Sequence, residues 1–156
     1  MTQAQKHLNI RVTHHFTYGE FLASDKADEL MISNVPPDGV WTQMVKPGIE
    51  LLAPLLEVVR ALLGGIPLDI NSGYRCYLLN EAVGGDPDSQ HRYDLRGSAA
   101  DFTPSNMPCR RAWDLICSAG IVYDQLIYEV NAGGFQWIHI SMNDRPRKHS
   151  FTMVKH

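Results

Sequence analysis

His91, Asp101 and His139 are the side chains of this sequence whose types could do chemistry together. Two imidazoles and one carboxylate make a three-ligand set for zinc that leaves a further coordination position open for water. Ser89-Gln90-His91 lies in a Gly-rich turn region. Gly97-Ser98-Ala99-Ala100-Asp101-Phe102 sets Asp101 on a short strand of small residues, where a carboxylate has no apolar use. In Gln136-Trp137-Ile138-His139-Ile140-Ser141 a period of two puts Trp137, His139 and Ser141 on one face and the isoleucines on the other. The isoleucines take the core, and a semi-polar, aromatic face is left around His139. Taken singly, each histidine fits a surface or hydrogen-bonded core position as well as a ligand position, and spacing alone does not decide between them.

The elements that must position these residues are marked along the chain. Thr17 as N-cap, Glu20 as its reciprocal partner and Phe16 stapled onto Phe21 predict a short helix from Tyr18 to about Ala23. From Trp41 to Leu63 apolar residues recur at three and four and stop at Gly64-Gly65, which predicts the main core helix, with its start or a kink at Pro47 or Pro54. Ile66 to Ile70 alternates as a strand; Arg75 to Val83 and Met107 to Ala119 read as helices. Three strands follow, Asp124 to Val130, Gln136 to Ser141 and Ser150 to Val154, the first two joined by a hairpin loop, Asn131 to Phe135. Helices first and adjacent strands later predict an α+β fold, one domain over residues 1–156 with N-terminal helices packed on a small antiparallel sheet.

Composition narrows the classes. The chain has 156 residues, 44% hydrophobic and 20% charged, the balance of an ordinary globular domain. A net charge of -3 without a basic patch argues against nucleic acid as a partner, and the basic stretch from Arg145 to Lys148 reads as a solvated end. Cys76, Cys109 and Cys117 lack any CxxC spacing and read as free thiols, Cys109 and Cys117 on one helix face. No apolar leader core opens the sequence and no run approaches the ~18 apolar residues of a membrane span. The expectation is a chain made in the cytoplasm without a signal peptide and not inserted in membrane. Adjacent His14 and His15 are expected on opposite sides of an extended segment, and Trp41, Trp113, Tyr123 and Tyr128 in the core.

Ser89-Gln90-His91, Gly97-Ser98-Ala99-Ala100-Asp101 and Trp137-Ile138-His139 together resemble the zinc signature of the M15 metallopeptidases, the group of D-Ala-D-Ala carboxypeptidases and phage endolysins. Further segments resemble the same family from about residue 16 to 141: Phe16 to Phe21, Ser72-Gly73-Tyr74-Arg75, Leu79-Asn80, Val83-Gly84-Gly85 and Tyr123 to Ile127. The resemblance implies the Hedgehog/D-Ala-D-Ala-peptidase-like fold and one Zn2+ per chain on His91, Asp101 and His139. It also implies peptidoglycan peptides as substrate, with Arg75 as the substrate-binding arginine. Ser89, Gln90 and Trp137, beside the ligands, count as candidate substrate contacts. A monomer is expected, acting at the bacterial cell wall after release by a pore or lysis.

Two departures from the family pattern stand out. Relatives carry two residues between the first histidine and the glycine, whereas Arg92 to Arg96 make five here; Arg92, Asp94 and Arg96 are then substrate contacts or parts of a solvated loop. Many relatives also carry Glu or Asp three residues before the second histidine, where this chain has Gln136, which cannot accept a proton. If the hairpin pairs Val130 with Gln136, Glu129 sits opposite Trp137 on the face that carries His139 and can serve as general base, with Asp94 in reserve. A strand-end Glu bonded to solvent or to a nearby cation fits the same residue. Gln136 therefore leaves two functions open: a peptidase cutting stem peptides, or a weakly active or non-catalytic zinc-containing wall-binding or phage structural module of the same fold.

Overall fold

The computed structural model describes residues 1–94 and 96–156. The inserted segment Arg92 to Arg96 is thus described except for Leu95, which lies outside the described residues. A short helix α1 (Gln3–His7), closed by a reciprocal cap between Thr2 and Gln5, leads into a hairpin of β1 (Arg11–Thr13) and β2 (Phe16–Thr17). Helix α2 (Tyr18–Leu22) starts as expected, with Thr17 and Glu20 capping each other and the Phe16 and Phe21 rings 6.2 Å apart. His14 and His15 depart from expectation. They occupy the hairpin turn, so their rings meet edge to face at 4.4 Å, and His15 is held by Glu57.

After α3 (Asp25–Glu29) and the single turn α4 (Asp38–Val40), Trp41–Val45 forms a wide π turn in which the Lys46 N–H reaches Trp41 O; α5 (Lys46–Leu62) continues from it. Pro47 falls in the first turn of α5, directly after the π turn, and the helix carries Pro54 on its exposed side without stopping. The buried face of α5, with Ile49, Leu52, Leu56 and Val59, joins Trp41 and Tyr123 in the core.

The main sheet is built from β3 (Leu68–Ser72), β4 (Ser98–Pro104), β5 (Gln125–Val130), β6 (Gln136–Met142) and β7 (His149–Val154), in the order β3-β4-β6-β5-β7. Pairing is antiparallel from β3 to β5, but β7 runs parallel to β5. It can do so because the chain after β6 crosses back to Tyr123 and Asp124, whose carbonyls accept from Lys148 N and His149 N. Helix α7 (Cys109–Ser118) carries the chain from β4 to β5, and β6 fills the gap between those two strands. The fold is α+β, as expected.

Helices α5 and α7 both pack on one face of this sheet. Phe102, Leu126, Ile138 and Ile140 point into that layer and are buried. The period of two then sends Asp101, Ile127, Glu129, Trp137 and His139 to the other face. Cys76, Cys109 and Cys117 are free, and Trp113 and Tyr128 are only partly buried. Among the described residues no helix is long and apolar enough to cross a membrane.

Candidate metal centre and its cleft

Asp101 and His139 are direct cross-strand partners in the β4–β6 ladder, which brings Asp101 Oδ1 to 3.0 Å from His139 Nδ1. His91 arrives from a 3-10 turn, Gln90–Arg92, capped by the Ser89 hydroxyl, and its Nε2 lies 3.3 Å from His139 Nδ1 and 3.3 Å from Asp101 Oδ1. Four ligands around a tetrahedral zinc at ~2.0–2.1 Å stand roughly 3.3 Å from one another. The three donor atoms therefore already have the separations of a metal's coordination edges, and the set fits zinc by donor type as well. Among the described residues this is the group of side chains able to hold a metal ion.

The supporting contacts suit that role. His91 Nδ1 is 2.7 Å from Gly73 O; an N–H placed there fixes the tautomer and leaves Nε2 its lone pair. Gly73 is required by close approach: a Cβ there would lie 2.5 Å from Phe21 O. Burial favours the neutral imidazole at His91, against the pull of Asp101. Burial alone would raise the Asp101 pKa, but the two histidines outweigh it and hold the carboxylate far below its ordinary range. Both directions favour the metal-ready forms, neutral imidazole and carboxylate.

Arg75 does not belong to a helix, because the helix expected from Arg75 begins only at Tyr77 (α6, Tyr77–Ala82). Buried Asn34 explains the delay: its amide donates to Tyr74 O at 2.7 Å and its oxygen accepts from Cys76 N at 2.8 Å, which keeps residues 74–76 extended. The Arg75 N–H bonds His91 O at 2.7 Å, its Nη1 donates to Asn80 Oδ1 at 2.9 Å, and Nη2 lies 3.9 Å from Asp101 Oδ2. The guanidinium is thus docked beside a ligand carboxylate.

The hairpin has the register in which Val130 pairs with Gln136 and Glu129 with Trp137. Glu129 is buried on the face of Asp101 and His139, and all three line one cleft of about 660 Å³ with Arg75. Burial first, and then the negative charge of Asp101, raise the Glu129 pKa; His139 and Lys155 oppose the rise. Gln136 is on the opposite, helix-facing side, where its Oε1 accepts from the Tyr128 hydroxyl at 2.7 Å. In a regular strand a residue three before His139 cannot share its face, so Gln136 is remote from the cleft.

The remaining candidates separate. Ser89 and Gln90 line the cleft, but both are also braces: Ser89 Oγ accepts from His91 N, and Gln90 Nε2 donates to Arg96 O and to Asp124 Oδ2 at 2.9 Å. Trp137 is not on the cleft lining; it stacks near Phe135 and under Lys155. Asp94 is ion-paired to Arg96 and lines a separate shallow hollow beside α5, and Arg92 lies over the Tyr77 ring. Of the described residues of the inserted loop, Arg96 alone lines the cleft, bound to Asp88 at 2.9 Å.

Two anchors escape a motif reading. Tyr93, in the inserted loop, is fully buried with its hydroxyl on Ala99 O at 2.8 Å, so the loop is pinned beneath β4. Asp124 is fully buried and accepts from Arg147 Nε at 2.9 Å, Arg147 Nη2 at 2.8 Å and Gln90. Arg147 is therefore folded back on the sheet, unlike the solvated end expected for Arg145 to Lys148. Asp124 does fall in the Tyr123 to Ile127 segment already singled out; its paired arginine had no signal of its own.

A family model described as Peptidase M15 matches residues 14–141, a span that contains all three donor residues, Arg75 and Glu129. No curated protein matches the chain.

Proposed function

The chain belongs to the peptidase M15 family, and from that premise we propose that it is a zinc peptidase hydrolysing peptide bonds in the stem peptides of bacterial peptidoglycan. The observation that carries this reading is the triangle of donor atoms, with edges of 3.0–3.3 Å, sharing a cleft with a buried carboxylate and a docked guanidinium. His91 Nε2, Asp101 Oδ1 and His139 Nδ1 would hold the ion. Zinc, when bound, supplies a Lewis acid that lowers the pKa of water and polarises the carbonyl under attack.

The chain's own groups do the rest. Glu129 is the proton carrier: its carboxylate accepts the proton of the attacking water and passes it to the leaving nitrogen. A raised pKa suits both halves of that task. Arg75 donates to the scissile carbonyl oxygen as negative charge builds on it, held in place by Asn80 and Asp101. Ser89 and Gln90 shape the wall and keep His91 at its post. The reading includes action at the cell wall, reached through a pore or on lysis, and cleavage either at a terminal D-alanine or inside the stem.

Digestion of purified cell wall by the zinc-loaded protein, with fragments identified by mass, tests the proposal and names the bond. Released stem fragments that vanish on chelation and return with zinc are the expected result. An unchanged wall with full zinc occupancy would favour the binding-module alternative.

A further inference from the structure

If Glu129 returns its proton to the leaving nitrogen, the departing residue lies on the Glu129 side of the centre. Lys155 stands at that side. Its backbone N–H bonds Val130 O at 2.7 Å, extending the β5–β7 pairing and fixing the residue at the cleft rim. Its ammonium lies 5.8 Å from the Trp137 ring centre and 3.7 Å from Glu129 Oε2, too long for a hydrogen bond.

The other cations lining the cleft are already bound. Arg75 donates to Asn80 and is given to the scissile carbonyl in the reading above, Arg96 is held by Asp88 and Asp94, and Arg147 by Asp124. Among the described residues Lys155 makes no side-chain hydrogen bond; at the cleft lining its ammonium has the 3.7 Å ion pair to Glu129 and three donors without a hydrogen-bonded acceptor.

Resting on the peptidase reading above, we infer that Lys155 determines specificity by binding a free α-carboxylate on the leaving residue. In an α-amino acid the nitrogen and the nearer carboxylate oxygen are about 3 Å apart. A nitrogen within hydrogen-bond reach of Glu129 can therefore bring its own carboxylate within reach of an ammonium 3.7 Å from that side chain. The favoured substrates are stem peptides cut just before a residue whose α-carboxyl is free: a terminal D-alanine, or a D-glutamate continued through its γ-carboxyl. Amidation of that carboxyl removes the charge that Lys155 reads.

The test uses the full zinc-loaded chain and non-hydrolysable ketomethylene analogues of two peptide pairs. One pair ends in D-alanine as acid or amide; the other places D-glutamate or D-isoglutamine after the scissile position. Calorimetry should show the acid of at least one pair binding about 10- to 100-fold tighter than its amide. Lys155→Met, which keeps the stem over Trp137, should abolish that preference while leaving amide affinity within about twofold, and Lys155→Arg should restore most of it. A preference that survives Lys155→Met, equal losses for acid and amide, or no preference in the native chain would each overturn the assignment. Turnover of the true peptides is read separately. Lys155-dependent binding without cleavage would sink the peptidase reading and leave carboxylate recognition standing; cleavage with a Lys155-independent preference would do the reverse.

Discussion

Asp101 and His139 face each other across the β4–β6 ladder with carboxylate and imidazole 3.0 Å apart, so two of the three donors are set by sheet register alone. The third, His91, comes from a turn tied to the sheet through Gly73 and Arg75. Purified chain should hold about one zinc, and His91→Ala, Asp101→Ala or His139→Ala should each lower zinc affinity by 100-fold or more, on the order expected for losing one of three protein ligands. Elemental analysis after dialysis reads this directly. Full zinc content in His139→Ala would remove the centre as described.

Replacing Arg75 with Ala should reduce kcat/KM by about 10²–10³ while the zinc content stays full, because it removes a charge-assisted donor and no ligand. Gly85→Ala should act in the same direction more weakly: a Cβ there would lie 2.2 Å from Asn80 Oδ1 and 2.8 Å from Arg75 Nη1. Steady-state kinetics beside a melting curve checks both, and an Arg75→Ala protein with native turnover would leave the residue a packing role only.

Glu129→Gln should cost about 10²–10⁴ in kcat at equal zinc occupancy, the usual weight of a proton carrier. Asp94→Asn and Gln136→Glu should leave turnover within about threefold, since one side chain is paired to Arg96 and does not line the cleft, and the other is exposed on the sheet's opposite face, bonded to the Tyr128 hydroxyl. A large gain from Gln136→Glu would contradict the strand geometry.

Asp124 links acid stability to the centre. Hydrogen bonds from Arg147, then Gln90, lower its pKa to about 2 from an ordinary 3.8, against the upward push of burial. A depressed folded pKa contributes stability that is full above the unfolded value and is lost as pH falls from about 4 towards 2. The contribution is about 1–2 kcal/mol once solvent screening at exposed Arg147 is allowed for. Asp124→Asn should therefore melt lower at neutral pH, and the gap to the native chain should narrow as pH falls below about 4 and close near pH 2. Melting temperatures between pH 2 and 7 measure it; a gap that persists unchanged at pH 2 would assign the loss to packing.

Strand alternation made much of this legible in the sequence. Ile138 and Ile140 had to be buried, so His139 had to face outward, and the hairpin loop set Glu129 opposite Trp137. Caps and staples, which act within one turn, marked α2 correctly. What escaped depends on partners distant in the chain. Nothing near Arg75 announces that Asn34 will hold it out of a helix, and nothing near Asp124 announces Arg147. Nothing beside Lys155 in the sequence marks it; the parallel pairing of β7 with β5 brings it over Trp137. Tyr93 in a polar insertion was the one local hint that the loop is anchored.

The placement of β6 between β4 and β5 has a consequence in time. During synthesis β4, α7 and β5 emerge before β6, so the nascent chain holds two strands whose facing edges have no partner until the later strand slots between them. The same late strand delivers His139. A chain stalled or cleaved before Gln136 would then be both metal-free and sticky, with open edges ready to pair with other chains. The ability to retain the ion thus doubles as a report that the middle of the sheet has closed.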